Sequence, residues 1–87
     1  MFLVQLKFAS NQCKAAQHID GHKAWIAHGF ADGVFLLVGA LKPDLGSVVV
    51  AHKTSLAELE SRVNADPFVA HGVVSAEIFE VAPTLLG

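Results

Sequence analysis

Two runs in the middle of this 87-residue chain, Val34–Ala40 and Val48–Ala51, are apolar at every position. Both are strand-sized and rich in β-branched residues. An antiparallel strand with one face in water alternates apolar and polar side chains. Strands that do not alternate need cover on both faces of their sheet, so the question for the rest of the chain is how much cover it can supply.

The first strand does alternate. Phe2, Val4, Leu6 and Phe8 fall on one side, with Leu3, Gln5 and Lys7 between them, the period of two that marks a strand with one apolar face. Ala9–Cys13 is polar and reads as a loop. From Ala15 to about Gly29 the period becomes helical, with Ala15, Ile19, His22 and Ile26 on one stripe. Gly29 fits a helix stop and Gly33 the turn after it. Lys42-Pro43-Asp44 and Gly46, inside the Leu41–Gly46 segment, supply hairpin chemistry between a strand at Val34–Ala40 and one at Ser47–His52. Ser55 with Glu58 three residues later predicts a capped second helix whose buried stripe is Leu56, Leu59 and Val63. Asp66-Pro67 ends it, because a residue before proline disfavours helix. Gly72 closes a short turn, and Val73–Val81 reads as the last strand before Pro83.

The predicted order is strand, helix, strand, strand, helix, strand. This is the ferredoxin-like βαββαβ plan of the α+β class, a four-stranded antiparallel sheet with two helices on one face, formed here by a single domain over residues 1–87. Two helices cover one face only. The expected cover for the other is the same sheet of a second copy, giving a homodimer. Composition agrees: 53% of residues are hydrophobic and 16% charged, more apolar surface than a chain this short can hide alone.

Other classes are excluded on length and charge. A membrane-spanning helix needs roughly 20 consecutive apolar residues, and Met1–Val4 meets Gln5 and Lys7 too soon to be a signal core. The net charge is −2, and the six Lys and Arg residues are scattered singly, so there is no basic footprint for nucleic acid. A lone Cys13 forms no internal disulfide, which fits a reducing, cytoplasmic setting.

His22 is the first candidate for chemistry, since an imidazole on the apolar stripe points toward the sheet. Asp66, at the end of the second helix, is the other. If the two meet, the carboxylate orients the ring and stabilises its charged form, making a general base or acid. Each residue also has an ordinary reading, His22 as a core histidine and Asp66 as a turn former. His18 and His22 have metal-compatible spacing, but His18 falls off the stripe and no third ligand is spaced to join them, so no metal is expected. His28, His52 and His71 read as surface or edge residues. Trp25 and Phe30 read as packing or interface residues, and Ser75 and Glu77 share a face of the last strand.

The segment Ala65-Asp66-Pro67-Phe68-Val69-Ala70-His71-Gly72-Val73 resembles the hallmark turn of YciI-like (YCII-related) proteins. His22 followed by Trp25 and Ile26 is similar to that family's helix histidine, and Leu36–Ala40 with Gly39 to its strand end. The resemblance implies a dimeric α/β-barrel of ferredoxin-like subunits and an active site on His22 and Asp66. Phe68, within the turn, and Ser75, on a strand face that could line a cleft or serve a plain strand role, are the expected substrate-binding residues. The function expected is a cofactor-independent isomerase or lyase acting on a small organic molecule. The alternative is a non-catalytic small-ligand-binding or accessory module in which the same pair is structural.

Overall fold

The computed structural model describes residues 1–85; the last two residues of the expected 1–87 domain lie outside the description. The strands are β1 (Phe2–Phe8), β2 (Phe35–Leu41), β3 (Gly46–Ala51) and β4 (Val74–Glu80). Between them lie α1 (Ala15–Ala31), α2 (Leu56–Asn64) and a short α3 (Pro67–Ala70), with a 3-10 turn at Gln12–Lys14 leading into α1. The strands form one antiparallel sheet in the order β2-β3-β1-β4. This is the ferredoxin-like α+β architecture expected from the sequence.

Directly paired residues of an antiparallel sheet point to the same face, so the register sorts the side chains. Val38, Val49, Val4 and Ile78 make one row across all four strands. That face meets the helices: Phe2, Val4, Leu6, Val49 and Ala51 form one core with Trp25 of α1, Leu59 and Val63 of α2, and Phe68 of α3. On the other face Leu37, Val50, Leu3 and Phe79 make an equally continuous row. No helix among the described residues covers it, and Leu37 and Phe79 are 50% and 43% exposed. The non-alternating middle strands are therefore apolar on both sides, with cover on one.

Local structure departs from expectation in five places, the first being the short α3, which forms where a turn is expected because Asp66 caps it and Pro67 suits its first position. α1 runs through Gly29 to Ala31. Gly29 is there for packing, because an added Cβ would overlap the Phe35 ring. The stop is at Gly33, whose φ of +73° lies in the left-handed region that glycine enters without steric cost. β2 carries a register shift between Phe35 and Leu37. With two residues opposite one, such a bulge reverses the side-chain alternation, so Phe35 points into the core and Leu37 out of it. In α2, Leu59 and Val63 are buried as predicted, but Leu56, the first helical residue, is exposed. Phe8, at the sheet rim, is partly exposed as well. The Ser55 cap is present: its side chain accepts from the Glu58 backbone N–H at 3.1 Å.

Candidate active site

Among the described residues, His22 and Asp66 are the two buried polar ones. His22 lies on the stripe of α1 that faces the sheet and α3. Asp66 follows α2 and caps α3: its backbone is extended, with φ −62° and ψ 124°, and Pro67 takes the first helical position, where a missing N–H costs nothing. The Asp66 side chain accepts from the Phe68 backbone N–H at 3.1 Å. This ordinary capping geometry turns the carboxylate toward α1.

There it meets the histidine. His22 Nδ1 and Asp66 Oδ1 are 2.8 Å apart, although the residues are 44 positions apart in sequence. A carboxylate oxygen carries no proton and only accepts, as Oδ1 does from the Phe68 N–H. Nδ1 therefore carries the proton and donates it to Oδ1. The lone pair of a neutral ring then resides on Nε2, which has no hydrogen-bond partner among the described residues. Nε2 is not sealed off either, since it is not among the fully enclosed unpartnered atoms. The one fully enclosed side-chain polar atom without a partner among the described residues is Asp66 Oδ2.

Aromatic rings frame the pair. Phe68 stacks on His22 with centroids 4.0 Å apart and planes 4° from parallel. Trp25, one turn along α1, lies 5.9 Å from the imidazole and donates from Nε1 to the Arg62 carbonyl at 2.8 Å, joining α1 to α2. Arg62 also pairs with Asp32 at 2.8 Å, partly in solvent. Phe68 is thus buried against the imidazole. Ser75 is exposed on β4 opposite Lys7, on the face of the sheet away from the helices, so one chain does not bring it to His22. His71 is not isolated, as its spacing suggested. It stacks on His18 with centroids 4.0 Å apart and planes 6° from parallel. Spacing along one chain does not reveal a pairing between elements more than fifty residues apart.

Two grooves border this region. One, of about 460 Å³, runs over Trp25 between α1 and α2 and is rimmed by Asp32, Glu58 and Arg62. The other, of about 440 Å³, lies between α2 and β4 and is lined by Val63, Ala76 and Ile78. Neither is lined by His22 or Asp66. Among the described residues no three His, Cys, Asp or Glu side chains are grouped to hold a metal, and no helix is long and apolar enough to cross a membrane.

Comparison with known proteins bears on family and fold. The profile of the YCII-related domain matches residues 1–82. The chain belongs to the YCII-related family. Among curated proteins, none matches the chain in sequence. Among solved structures, it is similar to the 5-chloro-2-hydroxyhydroquinone dehydrochlorinase TftG from Burkholderia phenoliruptrix AC1100, in complex with 2,5-dihydroxybenzoquinone. The TM-score is 0.71 at 17% sequence identity, and 94% of each chain is covered. At that identity the likeness concerns the fold. This YCII-related protein therefore shares the neighbour's fold, and its chemistry has to be argued from its own residues.

Proposed function

We propose that this protein is a cofactor-independent enzyme that moves a proton on a small organic molecule, in an isomerisation or an elimination. One observation carries the reading: a buried imidazole donates from Nδ1 to a buried carboxylate and leaves Nε2 unpartnered. In this role Nε2 takes a proton from carbon next to a carbonyl or in a hydroxylated ring. The C–H electron pair moves into the conjugated system. Returning the proton at another carbon completes an isomerisation, and expelling a group from the neighbouring carbon completes an elimination. Asp66 keeps the ring in the working tautomer and offsets the charge of the imidazolium while it exists. Capping alone does not require this residue, since Ser, Thr or Asn caps a helix about as well. A carboxylate facing the imidazole is what an aspartate adds. The dehydrochlorinase neighbour, named for an elimination on a chlorinated hydroxyhydroquinone, supports the same substrate class.

The reading includes a homodimer. The row Leu37, Val50, Leu3 and Phe79 crosses the whole sheet, and a second copy of the same row is a self-complementary cover. It also includes a cytoplasmic setting, in which an exposed lone thiol such as Cys13 persists.

A specific observation favours the second reading, a non-catalytic ligand-binding module: neither groove is lined by His22. Solvent isotope exchange separates the two. The protein is incubated in D2O with substituted hydroquinones and cyclic enones, and deuterium incorporation at carbon is followed by NMR. Proton transfer predicts incorporation with the wild type and its loss in His22→Gln and Asp66→Asn. Ligand binding without incorporation would leave the module.

A further inference from the structure

We infer that Phe68 is the positioning residue of the His22–Asp66 pair, holding the carboxylate through its backbone and the imidazole through its ring. The inference deepens the proton-transfer reading and rests on it for its kinetic part only.

The two contacts restrain different motions. The Phe68 N–H donates to Asp66 Oδ1 at 3.1 Å, which fixes the carboxylate oxygen that Nδ1 addresses. That bond does not fix the plane of the imidazole, which can still tilt about the line joining it to Oδ1. The Phe68 ring removes this freedom by lying flat on the imidazole, 4.0 Å away and 4° from parallel. One residue thus sets both the acceptor and the plane, and with them the direction of Nε2.

Phe68 is itself held. α3 has only four residues, too few for a helix to be stable alone, so its place depends on neighbours. The Phe68 carbonyl accepts from Val73 N–H at 2.9 Å, and the Asp66 carbonyl from Ala70 N–H at 2.8 Å. Pro67 packs so closely on α1 that a Cβ added to Gly21 would lie 3.0 Å from its Cγ. A second stack, His18 on His71, repeats the first one turn further along: His18 and His22 are four apart on α1, and Phe68 and His71 three apart on the α3 side. Among the described residues Asp66 alone holds the histidine ring by hydrogen bond, and of the two rings beside it Phe68 lies closer and flatter than Trp25, at 4.0 Å and 4° against 5.9 Å and 22°.

Phe68→Tyr keeps both contacts. Phe68→Leu and Phe68→Met keep the backbone N–H and most of the apolar volume but lose the flat face. The wild type offers a test without substitution. An imidazole under a parallel ring has its carbon-bound protons shifted upfield by ring current, and resonances of His22 at random-coil positions would overturn the stack. In the variants, histidine-labelled protein is read by 15N–1H NMR. The expected result is a hydrogen-bonded Nδ1–H signal in wild type and Phe68→Tyr, and its broadening, with a mixture of ring tautomers, in Phe68→Leu and Phe68→Met. In the exchange assay the leucine variant should lose roughly tenfold to a hundredfold in kcat with little change in KM, the size of effect that slight misplacement of a reacting group produces. A folded leucine or methionine variant with the wild-type Nδ1–H signal overturns the inference. Absence of exchange in the wild type would instead sink the proton-transfer reading, and the NMR result would still decide the role of Phe68.

Discussion

Two rows of side chains cross the same four strands one residue apart. Val38, Val49, Val4 and Ile78 face the helices; Leu37, Val50, Leu3 and Phe79 face away. Their chemistry is nearly the same and their surroundings are opposite. In the first row Val4 and Val49 are fully buried, while the second keeps about half of Leu37 exposed. Hydrophobicity alone therefore does not say which face of a sheet is the core. Cover does, and this chain carries enough helix to cover one side.

The comparison can be broken from either side. The largest effect is expected in the covered core. Leu6→Ala, next to the first row, should cost roughly 2–5 kcal/mol of unfolding free energy, read from urea denaturation, as large-to-small changes at fully buried sites do. A loss under about 1 kcal/mol would mean that the helix face is not the tight one. Next comes the polar point of that core. Asp66→Ala leaves a buried imidazole without its acceptor and α3 without its cap, and is expected to cost roughly 1–3 kcal/mol. Thermal unfolding followed by circular dichroism would show it, and wild-type stability would return Asp66 to a marginal role. On the open face, Leu37→Lys should change the stability of the isolated chain by no more than about 0.5 kcal/mol while abolishing the proposed dimer in light scattering. A wild type that scatters as a monomer at micromolar concentration ends the argument for a second copy. The smallest effect is expected at Ser75→Ala, within about 0.5 kcal/mol in stability. A rise in KM there would bring the open face into the binding site.

Much of this was legible in the sequence. The alternation of Phe2, Val4 and Leu6 is local, and so is the pairing of Ser55 with Glu58; both follow from short-range rules and both stand in the structure. The candidate pair was legible for another reason. A histidine on a helix stripe and an aspartate before a proline each have a predictable direction, and the family turn ties them together. What stayed hidden was long-range. The bulge in β2 leaves no mark in a run apolar at every position, because a one-residue slip exchanges one leucine for another. Gly29 reads as a helix stop, and only the Phe35 ring, packed against it from the next strand, explains its lack of a side chain. His71 has no partner by spacing because its partner, His18, lies on another element. The position of the grooves depends on how α1 and α2 diverge, which no local pattern encodes.

The position of Trp25 has a practical consequence. It is the one tryptophan of the chain, it lies 5.9 Å from the His22 ring, and its N–H is held by the Arg62 carbonyl. A protonated imidazole quenches a nearby excited indole more strongly than a neutral one does. The protein therefore carries its own optical gauge. Its ultraviolet emission should dim as His22 gains a proton and brighten as it gives one up, so the charge on the candidate base can be followed in unlabelled protein while ligands are added.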